Sequence, residues 1–235
     1  MVGRTSGRIP LPRWGALGAM AAVVFMVAVS IHLYPGLPTR VDSSEYDILR
    51  GSSDLPGWAI ASILPAVTLT MVALFSLVSV VGDRFHRALE LPTPWSTRSM
   101  RRVVDLFSLL LALLLAALHV VTLYEVAGEG LSPPTDRIVV LILAAFLVGM
   151  GAIVSLLRAE RPEETPAARW WDLARGWVGA SIALVGVVTG VMGLVLPDPT
   201  VASYTVMSMG PAILVGCAVP FVGDREWKKE PRSGP

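Results

Sequence analysis

The chain is poor in charge. Of its 235 residues only 16% are Asp, Glu, Lys or Arg, against about 25% in an ordinary soluble domain. That is too few to solvate a globular surface of this size. Cysteine is almost missing: Cys217 stands alone, which excludes an intramolecular disulfide and a cysteine-based metal cluster. Lysine is scarce too, with only Lys228 and Lys229 among nineteen basic residues. This preference for Arg, with abundant Ala, Gly and Val, is that of a bacterial gene of high GC content. A formal net charge of +1 gives no broad attraction for nucleic acid. A Gly-rich phosphate loop, a nucleophile elbow and the HExxH spacing of a zinc site are also lacking. No metal, cofactor or catalytic set is therefore expected, and the chain does not read as an enzyme.

What the chain does have is apolar length. Hydrophobic residues make up 54% of it, and they gather in long runs. Six segments stand out, at about 14–34, 56–81, 103–127, 138–157, 177–196 and 201–222. A bilayer core about 30 Å thick needs roughly 20 such residues per helix. Only helices and closed barrels cross it, because backbone polar groups find no water there. These runs are too long and uniform for barrel strands, which alternate over about ten residues. The expected fold is all-α: a polytopic membrane protein forming one integral domain, a bundle of six transmembrane helices. Lys and Arg fall unevenly between these segments, sixteen on one side of the membrane and three (Arg40, Arg50, Arg137) on the other. Basic loops stay in the cytoplasm, so both termini are expected inside a bacterial inner membrane. The basic start and Ala28-Val29-Ser30 loosely resemble a signal peptide, but the apolar run is long for one and reads as a retained helix.

The opposite face is acidic. Asp42, Glu45, Asp47 and Asp54 crowd the first outer loop, where they favour a cationic ligand; a merely solvated loop is the commoner role. Polar groups inside lipid are costly and usually turn to the bundle interior. On the third segment Asp105, Ser108, Ala112, His119 and Thr122 share a face at 100° per residue. His119 and His32 lie at comparable depth toward the outer leaflet. They could form a site with Tyr124, but a neutral His119 bonded to a neighbouring helix is the commoner arrangement. The second segment carries Ser62, Thr68, Ser76 and Ser79 around Pro65, whose missing amide frees a carbonyl. Neighbouring hydroxyls and helices can satisfy it. On the fifth segment Gly179, Gly186 and Gly190 include a GxxxG unit that permits close backbone approach, favoured here as packing within the chain.

After the first segment comes Tyr34-Pro35-Gly36-Leu37-Pro38-Thr39-Arg40-Val41, followed by Gly51, Asp54, Gly57 and Trp58. This pattern resembles the N-terminal domain of unknown function of the SdpI-like bacterial immunity family. Arg169-Trp170-Trp171-Asp172-Leu173-Ala174-Arg175 with Gly179 resembles that family's second motif. The chain departs from the family where a His would follow Val41 and reads Asp42-Ser43-Ser44 instead. Its Thr93-Pro94-Trp95 lies in the second loop rather than after the fourth helix. The resemblance implies protection against a membrane-active peptide, with a membrane-bound regulator as a further partner. Two other readings stay open: a small transporter or channel using the polar faces of helices 2 and 3, and an accessory subunit of a membrane complex.

Overall fold

A computed structural model describes residues 13–41, 55–89, 97–129, 134–159 and 166–195. These form five helices: α1 (Arg13–Leu33), α2 (Gly57–Leu89), α3 (Thr97–Val126), α4 (Thr135–Ser155) and α5 (Pro166–Val195). All five are long and apolar enough to cross a membrane. The chain is a multi-pass membrane protein, and its environment is a lipid bilayer. The sixth apolar segment, 201–222, and the acidic residues Asp42, Glu45, Asp47 and Asp54 lie outside the described residues.

Three helices run past the spans expected from hydropathy. Helix α2 continues to Leu89, α3 begins at Thr97, and α5 begins at Pro166. At 1.5 Å per residue a helix of 30 residues is about 45 Å long, well beyond the hydrocarbon thickness. All three extensions point to the same end of the molecule. That end also carries Arg101, Arg102, Arg158, Arg169 and Arg175, whereas the described part of the opposite end carries Arg40 and Arg137.

Small residues set the packing. Helices α1 and α3 run parallel: Gly15 lies against Asp105, Gly18 against Leu109 and Gly36 near Ala127. Ala19, Ala22, Val23 and Met26 of α1 are buried with Ala112 and Ala116 of α3. Asp105 Oδ1 accepts the Gly15 amide at 3.1 Å. This satisfies one of the amides a helix N-terminus leaves unpaired, and places a negative charge at the positive end of the α1 dipole. The stripe expected to be polar on α3 is thus the face that holds α1. Helix α3 stops at a Schellman turn. Gly128, at φ 72°, donates to Glu125 O, and Glu129 donates to Tyr124 O, the arrangement that closes a helix through a left-handed residue.

The closest helix pair is α4 with α5, which are antiparallel. A Cβ on Gly179 would lie 2.5 Å from Gly151 O, and one on Gly186 would lie 2.8 Å from Ala144 O. Gly190 faces the Ala144 methyl, 3.3 Å from where its Cβ would be. Gly179, Gly186 and Gly190 therefore bring the two backbones of one chain together, as small residues do where there is no hydrophobic drive between helices. Past the end of α4, the Trp171 indole N–H donates to Leu157 O at 2.8 Å. Arg175 donates to Ser155 O and pairs with Asp172 at 2.9 Å. Carbonyls left open at a helix C-terminus are thereby answered by side chains, one of them cationic.

Candidate functional site

The site begins with a proline. Pro65 lies inside α2 and has no amide to donate to the carbonyl four residues back, that of Ala61. An open carbonyl in lipid costs several kcal/mol by order of magnitude. Here the donor comes from another helix: the Ser30 hydroxyl of α1 lies 3.0 Å from Ala61 O. It also lies 2.9 Å from Met26 O in its own helix.

His119 of α3 completes the junction. It is 1% exposed, and its Nε2 lies 2.8 Å from Ser30 Oγ and 3.2 Å from Met26 O. A carbonyl can only accept, so the contact with Met26 O assigns the proton to Nε2. Nε2–H is then shared between Met26 O and Ser30 Oγ, and the Ser30 proton between Met26 O and Ala61 O. A single chain of donors thus joins α3 to α1 and α1 to the break in α2. The other ring nitrogen, Nδ1, has no hydrogen-bond partner among the described residues, nor has the buried hydroxyl of Ser108.

A 2.8 Å contact between a serine hydroxyl and a histidine also occurs in hydrolytic dyads. There the imidazole must accept the hydroxyl proton. In this junction Nε2 also lies 3.2 Å from the Met26 carbonyl, and the Ser30 hydroxyl faces two carbonyls. The arrangement is that of a clamp between helices.

Directly above the clamp the chain builds a small collar. Helix α1 passes into a 3-10 turn at Tyr34–Gly36, and Leu37 N–H returns to Tyr34 O. Strand β1 (Arg40–Val41) then pairs antiparallel with β2 (Leu55–Pro56), matching Arg40 to Pro56 and Val41 to Leu55. This ladder draws together the two ends of the 42–54 segment, and it was not expected from an all-α reading. Gly57 follows at once. A Cβ there would lie 2.6 Å from Pro38 O, so only glycine lets the strand run so closely past the loop. Leu33, Ala61 and Leu123 are buried beneath, with Leu37, Ile60 and Tyr124 packed around them. The collar thus stands on the same three helices that the clamp joins.

The structure separates residues that depth alone had grouped. His119 is deep in the bundle, but His32, two residues beyond Ser30 on α1, is exposed. The two histidines make no hydrogen bond with each other, and Tyr124 lies in the apolar cluster beneath the collar. Of the polar positions on α2, Thr68 is buried and returns to Leu64 O at 2.8 Å, while Ser62 is exposed and donates to Ala59 O. Ser30 was not singled out from sequence as a site residue. The signal was there, in a lone hydroxyl on an apolar helix and a proline that had to find a donor. No protein-family model, curated protein or solved structure matches this chain.

Proposed function

We propose that this protein binds a cationic, membrane-active peptide at the collar end and keeps it from permeabilising the bilayer. The observation that carries the reading is the collar itself. A two-residue ladder and a Gly57–Pro38 contact, seated on three mutually clamped helices, hold the two ends of a segment containing Asp42, Glu45, Asp47 and Asp54. Acidic groups anchored at the membrane surface attract a cationic peptide before it inserts. One of the two stretches that resemble the SdpI-like immunity family, Tyr34 to Trp58, runs through this collar, and the proposal takes its ligand class from that resemblance.

The bonds made by the polar groups of α2 and α3 weigh against a transport role. His119 and Thr68 direct their hydrogen bonds to backbone or hydroxyl partners within the bundle. In this proposal the Arg-rich end faces the cytoplasm of a bacterial inner membrane, as basic residues do. The apolar segment 201–222 then forms a sixth crossing that returns the C-terminus to the same side.

The test is protection. The chain is expressed in a susceptible bacterium, and membrane depolarisation is followed under a panel of cationic peptides. The wild type is expected to delay depolarisation by at least one peptide. The Asp42→Asn, Glu45→Gln, Asp47→Asn triple variant is expected to lose that delay at equal membrane abundance. A wild type that protects against none, or a triple variant that protects fully, refutes the reading.

A further inference from the structure

Two exposed tryptophans mark one level of the bundle. Trp14 of α1 is 76% exposed and Trp177 of α5 is 57% exposed. Gly15, next to Trp14, bonds Asp105 of α3. Gly179, two residues from Trp177, lies against Gly151 and Ser155 of α4. Helices α3 and α4 meet where Gly149 packs on Leu110. Counting along both from that contact at 1.5 Å per residue puts Asp105 and Ser155 within about 2 Å of the same height. Trp14, Asp105, Ser155 and Trp177 therefore share a plane. Tyr34, also exposed, lies twenty residues along α1 from Trp14, about 30 Å away, which is the thickness of the hydrocarbon core. Exposed aromatics at both levels are what a membrane interface selects.

This plane fixes the depth of the arginines. Arg101 and Arg102 precede Asp105 by about one helical turn, so they sit about 5–6 Å outside the tryptophan level, at the depth of lipid phosphates. Arg102 is exposed and Arg101 half-buried. The carboxylates with described side chains at this end are engaged elsewhere: Asp105 on the Gly15 amide and Asp172 on Arg175. Neither Arg101 nor Arg102 has an ion-pair partner among the described residues. A guanidinium matches a phosphate with two parallel donors.

We infer that Arg101 and Arg102 form a binding site for the phosphate of an anionic phospholipid in the leaflet at the Arg-rich end. The inference needs only the membrane placement and stands whether or not the collar binds a peptide. A cation near an anionic surface contributes about 1 kcal/mol, or about fivefold in affinity, per charge.

The test is native mass spectrometry of the full chain in detergent, titrated with phosphatidylglycerol or phosphatidylcholine. The wild type is expected to prefer phosphatidylglycerol. Arg101→Gln with Arg102→Gln should weaken that binding about 30-fold. Arg101→Lys with Arg102→Lys should weaken it less than the Gln pair, because the charge stays while the paired guanidinium donors are lost, and Arg137→Gln at the far end should change nothing. If the double Gln variant yields too little folded protein, each single variant carries the test with about a fivefold loss. A wild type without preference, or Gln variants that bind as the wild type does, overturns the inference. Inorganic phosphate that displaces the lipid at equal concentration also overturns it, by showing that the site takes the free ion.

Discussion

Replacing Ser30 by alanine removes the donor to Ala61 O, and Pro65 offers no amide in its place. His119 loses less, because its Nε2–H keeps Met26 O at 3.2 Å. The cost is therefore mainly one carbonyl left open. Such a group costs about 1–3 kcal/mol when buried, and hydrogen bonds between membrane helices average about 0.6 and reach about 1.7 kcal/mol. About 1.5 kcal/mol is expected for Ser30→Ala. In a Pro65→Ala background the residue at 65 regains an amide, which bonds Ala61 O within α2. There Ser30→Ala should cost under about 0.5 kcal/mol, giving a coupling of about 1 kcal/mol between the two positions. The four proteins of the cycle can be compared by reversible unfolding in mixed micelles titrated with a denaturing detergent. The small void left by the missing hydroxyl is common to both backgrounds and cancels. Equal costs of Ser30→Ala in the two backgrounds, within about 0.3 kcal/mol, would refute the account. They would show that the bond from Ser30 to Met26 O, which is indifferent to Pro65, is the one that matters.

Three further substitutions, all at glycines, read the backbone. Gly151→Ala places a methyl 2.7 Å from Ala183 N and against Gly179 O, so α4 and α5 must part and unfolding should become easier by about 1–3 kcal/mol. Gly176→Ala meets nothing within 4 Å and should be neutral or stabilising by up to about 1 kcal/mol in the same detergent-unfolding experiment. Gly128→Ala forces a side chain into the left-handed region at φ 72° and should cost about 1 kcal/mol, with earlier amide exchange at the end of α3.

The membrane class and the middle of each described span were legible because lipid imposes a simple rule on a chain. A crossing must satisfy its own backbone and present about twenty apolar residues, and hydropathy records both. The helix ends were less legible for the same reason. Hydropathy falls where a helix leaves the bilayer, but the helix itself need not stop, so Pro166 to Gly176 read as a loop and is the first part of α5. The glycines of α5 announced a close contact. Their partner is α4, whose C-terminal carbonyls Trp171 and Arg175 of α5 bond.

The clamp shows where local reasoning ends. Sequence alone showed that Pro65 frees a carbonyl, that a neighbouring hydroxyl or helix could answer it, and that a His119 bonded to a neighbouring helix was the commoner arrangement. These are properties of single residues in a medium without water. Only the tertiary structure decided that the hydroxyl is Ser30 and that His119 serves the same bond. That choice depends on α1 lying parallel to α3 along Gly15, Gly18, Ala19 and Ala22, at a separation that small side chains allow. It equally set His32, at a similar depth, outside the bundle, because two residues along a helix turn a side chain by about 200°. Depth in the membrane is written in the chain; the direction a side chain faces is settled by which helix packs beside it.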